Sequence, residues 1–342
     1  MPTTHPRITR LALLTALLAF AVILLGGYTR LTNAGLSCPD WPQCYGYLTA
    51  PHTTQQINQA LQKYPATPVN TAKAWTEMTH RYFAGTEGLL ILILAFALRR
   101  RKISLALITL LITQILLGML TVTEQLKPVI VLAHLLTGIS LLSVLWWIYL
   151  SSRASKLSSR ATEKLSSRAA EKLSSRAAEK LSSRGLTAGP SAFLKPTPSF
   201  RAWTYLAFII LFAQITLGGW VSTHYAALAC IDFPYCHGQW LPALHFSQFN
   251  NDLITIHMLH RLGAILTATY LSIFAIFLMK HLAYRRIGIH ILLLLVAQIS
   301  LGVLNIIWLR PVGIALAHHA IGILLLMTLV TLLAKQHSRE SL

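Results

Sequence analysis

Charge is scarce in this chain, and acidic charge scarcest. Of 342 residues only 11% are Asp, Glu, Lys or Arg, and ten of them are acidic. Hydrophobic residues make up 54%. A soluble domain needs more charged surface than this, so composition excludes one and points to a multi-span membrane protein. Cysteine is scarce too, at four residues, which excludes a disulfide-dense scaffold.

Apolar runs of about 20 residues, long enough to cross a bilayer, occur eight times. They fall near 11–28, 80–98, 103–122, 129–150, 202–222, 254–279, 287–309 and 312–334. No small-residue cleavage site precedes Gly26-Gly27, so the first run reads as a span and not as a signal peptide. A formal net charge of +19 raises the question of nucleic acid. Its distribution answers against it. Arg7, Arg10, Arg99 to Lys102, the segment 151–201, Lys280, Arg285, Arg286, Lys335 and Arg339 hold 22 of the 29 Lys and Arg, all on one side of an eight-span chain. The positive-inside rule then puts both termini in the cytoplasm and the cysteines outside, with the basic face against anionic lipid.

Between spans four and five the octapeptide KLSSRAAE recurs with small changes from Lys156 to Gly185. Apolar only at Leu, it cannot build a core, although its Ala, Glu, Lys and Leu favour a basic surface helix. It reads as a cytoplasmic linker, 151–200, between halves 1–150 and 201–342. Those halves repeat one another. GGYTRLTNAGLSCPDWPQCYG, 26–46, answers GGWVSTHYAALACIDFPYCHG, 218–238, and each carries Cys-x5-Cys around an Asp and a Pro. EMTHR at 77–81 answers HMLHR at 257–261, and QILLGML at 114–120 answers QISLGVL at 298–304. KPVIVLAHLLTG at 127–138 answers RPVGIALAHHAIG at 310–322, with compensating one-residue gaps before the shared LAH. Four spans per half give both halves one orientation. The expected fold is an all-α membrane protein of eight helices, two four-helix bundles related by a pseudo-two-fold along the membrane normal.

Each half repeats two histidines, His80 and His134, then His260 and His318, all expected near the outer surface. A lone intramembrane histidine is ordinarily a hydrogen-bonded core residue. Symmetric pairs on different helices suit the axial ligation of haem iron. Zinc or copper is the alternative, but neither pair has a further ligand at metal spacing. His319, beside His318, competes for the same role. The cysteine spacing lets each pair close a disulfide, Cys38–Cys44 and Cys230–Cys236, on the oxidising side; a redox-active role is the sharper alternative.

On TRLTNAGLSCPDWPQC, E-x-x-H-R at Glu77 to Arg81, His260-Arg261 and AHHA at 317–320, the chain resembles the haem A synthase family across all eight spans. The resemblance implies a bacterial inner-membrane oxidoreductase that converts haem O to haem A, oxidising a porphyrin methyl to a formyl group by successive hydroxylations. It implies that His260 and His318 ligate a haem b cofactor, iron included, and that His80 and His134 serve the substrate, with Glu77 beside them. Arg81 and Arg261 each follow a histidine, with haem propionates as candidate partners and solvent or lipid headgroups as the plain alternative. The haem O synthase, a farnesyltransferase, and terminal-oxidase assembly factors are the implied partners, besides lipid. Glu77 has His257 as its counterpart, an asymmetry expected of an enzyme; it would take protons or stabilise charge at the oxidised carbon. A helix N-terminal carboxylate is its plain alternative. Glu87, within span two, departs from the family's pattern; Arg81, a histidine or a polar cavity are the partners open to it. A di-haem b-type cytochrome carrying electrons from quinol, and a transporter, are the competing readings.

Overall fold

A computed structural model describes residues 6–98, 101–179, 200–248 and 250–340. It is all-helical, with no strand among the described residues. Eight long helices carry the fold: α1 (Pro6–Leu31), α3 (Thr71–Ala97), α4 (Arg101–Thr123), α5 (Pro128–Glu179), α6 (Arg201–Thr223), α7 (Leu253–Met279), α8 (Arg285–Ile307) and α9 (Val312–Glu340). A short α2 (Thr54–Lys63) lies between α1 and α3. Seven of the long helices are apolar enough to cross a membrane, in α5 over Pro128–Ala154. The chain is therefore a multi-pass membrane protein. The exception is α3, which sits where the second span is expected but carries Lys73, Glu77, Arg81 and Glu87.

Helix starts follow local chemistry. Asn70 caps α3 by accepting from the Lys73 N–H (3.1 Å), and Asp252 caps α7 by accepting from Ile254 (3.1 Å). Thr53 and Gln56 form a capping box on α2. Pro128 opens α5 at the first helical position, where its missing N–H costs nothing. The octapeptide repeats enter the fold as a continuation of α5 up to Glu179; the remainder of the expected linker, 180–199, lies outside the described residues.

In the first half α1 packs on α3 and α5, α3 on α4, and α4 on α5. In the second, α6 packs on α7 and α9, α7 on α8, and α8 on α9. The halves meet through α1 with α9, α5 with α6, and α5 with α9. Exchanging the halves maps this whole set of neighbours onto itself. One apolar core runs through both, from Ala12, Ala16 and Leu145 to Leu271 and Leu326. Polar links cross it: Trp146 Nε1 donates to Thr331 Oγ1 (2.9 Å), joining α5 to α9.

The turns before α5 and α9 correct the register read from sequence. Gln125 and Leu126 take left-handed φ of 49° and 57°, and Leu309 and Arg310 take 54° and 62°. The Leu126 N–H donates to Thr121 O (2.8 Å), as Arg310 does to Asn305 O (2.7 Å). Leu126 thus corresponds to Arg310, and Lys127 to Pro311. The apparent Lys-Pro to Arg-Pro match is one residue out, and His134 falls on His318 with no gap.

Candidate haem sites and the loops above them

An imidazole needs room inside a helical bundle, and each of the four repeated histidines finds it against a glycine. A Cβ added to Gly26 of α1 would lie 3.0 Å from His80 Cε1. At Gly118 of α4 it would lie 3.1 Å from His134, at Gly218 of α6 3.1 Å from His260, and at Gly302 of α8 3.1 Å from His318. Four equivalent contacts set four rings on the second and fourth long helices of each half. Sequence repeats contain these glycines, but their partnership with the histidines shows only in three dimensions.

The His260 and His318 rings face one another, centroids 6.5 Å apart and planes at 80°. Gln214 Nε2 lies 3.0 Å from His260 Nδ1, and Gln298 O lies 3.0 Å from His318 Nδ1. Gln298 O takes the Nδ1–H of His318, as the outer partner of a ligating histidine does, while the side-chain amide nitrogens of Gln214 and Gln298 rest against the two rings, the latter 3.3 Å from His318 Nε2. His80 and His134 differ: the backbone at Val22 and Gln114 lies beside them, and no side chain hydrogen bonds either ring among the described residues. His319 does not join His318. Its ring packs on Gly27 of α1, 3.2 Å from the position of an added Cβ, at the seam between the halves. Its counterpart, Leu135, faces Gly219 in the same way on the opposite seam.

Above the histidines lie the two cysteine loops. Cys38–Cys44 and Cys230–Cys236 are disulfides, each with Cα atoms 4.7 Å apart and all four residues fully buried. In both loops an aspartate bridges the return of the chain. Asp40 accepts from the Tyr45 (2.6 Å) and Gly46 (2.7 Å) N–H groups, and Asp232 from His237 (3.0 Å) and Gly238 (2.7 Å). Gly46 and Gly238 take φ of 82° and 75°, which favours glycine. The Gly238 bond, foremost, holds the Asp232 carboxyl below its ordinary pKa. Burial, with the Glu77 and Asp40 charges, pushes the Tyr45 phenol up.

Glu77 and Arg81 fasten the first loop. Glu77 is 4% exposed. Its Oε2 accepts from the Ser37 and Cys38 N–H groups, both at 2.9 Å, and its Oε1 meets Arg81 Nη2 at 2.5 Å. Arg81 Nη1 donates to the carbonyls of Asp40 (2.9 Å), Gln43 (2.6 Å) and Pro42 (3.2 Å). In the second half His257 Nδ1 accepts from the Cys230 N–H (3.3 Å), while Arg261 donates to Cys230 O (2.7 Å) and Tyr235 O (2.9 Å). The sequence displays a carboxylate beside a histidine and two arginines after histidines. That all four side chains latch the loops is not displayed, because it depends on where residues some 26 to 41 positions away return.

The donor set suits haem. Paired imidazoles from different helices, set against glycines in an apolar bundle, match axial ligation of a flat prosthetic group. Among the described residues no group of three or more His, Cys, Asp or Glu is placed to hold a metal ion directly.

A helical membrane protein with two internally repeated histidine-pair sites under disulfide-braced loops is the class these features define. The chain belongs to the COX15-CtaA family of cytochrome oxidase assembly proteins, whose model matches residues 9–330. It is 35% identical to a haem A synthase of Shewanella oneidensis over 348 residues, covering 95% of this chain and 96% of that one. It is 25% identical to that of Shouchella clausii over 341 residues, 95% of each. It is also 26% identical to that of Paracoccus denitrificans over 346 residues, 93% of this chain and 84% of the other.

Proposed function

We infer that this chain is a haem A synthase, an oxidoreductase that converts haem O to haem A, and we propose a division of labour between its halves. The C-terminal half, 201–342, holds a haem b cofactor between His260 and His318. When bound, that group supplies one-electron redox chemistry to the reaction. The N-terminal half, 1–150, holds haem O at His80 and His134, and 151–200 is a linker. All eight long helices, α3 included, span the membrane as two bundles about a pseudo-two-fold. The self-mapping neighbour set supports this, and satisfied polar groups around Glu77 and Arg81 make the charges on α3 tolerable at its outer end. The basic side is cytoplasmic, with both termini, and the disulfide loops lie outside.

The observation that carries the assignment is the difference between otherwise duplicate sites. Gln214 and Gln298 orient His260 and His318 as permanent ligands. His80 and His134 have only backbone beside them, at Val22 and Gln114, and no side chain bonded to either ring, which suits a site that fills and empties. His318, facing His260, is the ligand, and His319 is not.

Glu77 stands where His257 stands in the cofactor half. Three donors hold its carboxylate, from Ser37, Cys38 and Arg81. A carboxylate so held is fixed in position. Its part is therefore to stabilise positive charge developing at the oxidised methyl carbon, and to keep the loop closed over the site. Arg81 and Arg261 hold the loops first, and any propionate contact is secondary. A pure electron carrier would have no use for the difference between the halves. The expected partners are the enzyme that supplies haem O and the factors that deliver haem A to terminal oxidases.

The test is extraction of bound and product haems from Glu77→Gln and Glu77→Ala protein supplied with haem O. Loss of a charge partner of the transition state should cut haem A formation ~100-fold, with the haem b spectrum unchanged and the hydroxylated intermediate accumulating. Active Glu77→Ala protein that has lost haem b would assign the substrate to the other half.

A further inference from the structure

Glu87 is a carboxyl group with no evident employment. It lies within α3, only 8% exposed, and makes no hydrogen bond or ion pair among the described residues. Arg81, the nearest cation along the helix, is taken by Glu77 and the cysteine loop. A buried carboxyl without a partner is costly, and in an apolar bundle it marks a site that something else completes.

Its position says what. Glu87 follows His80 by seven residues, about 20° short of two full turns and roughly 10 Å along the axis. The two side chains therefore leave the same face of α3. Helical side chains lean toward the N-terminus of their helix, which in α3 is the cysteine-loop end. The Glu87 carboxyl thus reaches back toward His80 and toward whatever group that histidine would hold. The duplicate half lacks this feature. Thr267 holds the equivalent place seven residues after His260, is buried, and satisfies its hydroxyl on its own helix at Gly263 O (2.7 Å).

The two ligands differ in the same way. Haem b carries a vinyl group where haem O carries a hydroxyethylfarnesyl chain, and the hydroxyl is that substituent's one polar atom. We propose that Glu87 recognises haem O by hydrogen bonding to this hydroxyl, making it a specificity-determining residue of the substrate site. This rests on the assignment of haem O to the N-terminal half. The apolar depth leaves the hydroxyl no water to bond. A site built around one buried polar contact rejects the analogue that lacks it, because its own polar group is then left unpaired.

The experiment is a spectral titration of full-length protein carrying its haem b. The probes are haem O and the alkene formed by dehydrating its hydroxyethyl carbon. Wild-type protein should bind the alkene roughly tenfold more weakly than haem O. Glu87→Leu should bind both equally, with its haem b spectrum intact, and Glu87→Gln, which still hydrogen bonds, should keep a preference for haem O. Equal binding of the two probes by wild type, or discrimination retained in Glu87→Leu, overturns the proposal. His80→Ala, titrated in parallel, should bind neither probe. If His80→Ala binds haem O normally and His260→Ala does not, the assignment of halves fails, and the role of Glu87 with it.

Discussion

An imidazole inside a helical bundle needs a neighbour that yields space. In this protein that neighbour is glycine, four times over. Gly302→Val should therefore force the His318 ring aside, at about 1–3 kcal/mol for overpacking, and deplete haem b as read from the reduced spectrum. Gly85→Ala, where an added Cβ meets nothing within 4 Å, should leave the spectrum unchanged. His318→Ala should remove haem b or make it high-spin, whereas His319→Ala should keep both haem b and its low-spin spectrum. Haem loss on His319→Ala alone would contradict this ligand assignment. The sequence makes the four histidines legible because repetition picks them out of an apolar background. It leaves His318 and His319 undecided, since adjacent residues on a helix point about 100° apart and only packing says which one faces His260. The latch made by Glu77 and Arg81 is illegible for a related reason: its acceptors are backbone groups of a loop whose path no pattern encodes.

At the scale of elements, the two cysteine loops share a plan but not a setting. The first rests on α2 and has a small core of its own, with Tyr45, Ala60, Ala74 and Met78 around the disulfide. Around the second disulfide the core holds Met258, Leu244 and Ile254. Alkylation of native protein should find no thiol, and full reduction should release four. Mild reductant should open Cys230–Cys236 before Cys38–Cys44, as read by mass spectrometry. The pH dependence follows from Asp232. Its pKa is lowered by the loop's N–H groups, so its contribution to the closed loop is complete above the ordinary Asp value of about 3.9. That contribution is lost as pH falls through the lowered folded value. Protection of Cys230–Cys236 from a phosphine reductant should therefore be constant from neutral pH to about pH 5 and should weaken only in stronger acid. A loss of protection near neutral pH would show that another group governs the loop. The disulfides themselves are legible from Cys-x5-Cys; the different cores beneath them are not, because among the described residues no α-helix answers α2 in the second half.

For the whole molecule, hydropathy and repetition are enough to give an all-helical membrane protein and the order of its long helices. They are not enough to give the seams. Those pair the first helix of one half with the last of the other, α1 with α9 and α6 with α5, an arrangement fixed by shape and not by any single motif. The register error before α5 and α9 has the same origin. Identical letters, Lys-Pro and Arg-Pro, outweigh a backbone turn that a string of letters does not display. Replacing Lys156 to Gly185 by a flexible segment of sufficient length should leave haem content and haem A formation nearly unchanged. Complete inactivity in a normally inserted protein would give the segment a role of its own.

The continuation of α5 past Ala154 to Glu179 bears on how such a chain can change over generations. Twenty-five residues of helix make an arm of roughly 38 Å beyond the span, and each octapeptide adds about 12 Å to it. Tandem copies are the stretches of a gene most easily gained or lost when it is copied. Each gain or loss should change the length of that arm and leave the histidines, glycines and cysteines of the helices in place. Close relatives should therefore differ in the number of octapeptides more than in the rest of the chain.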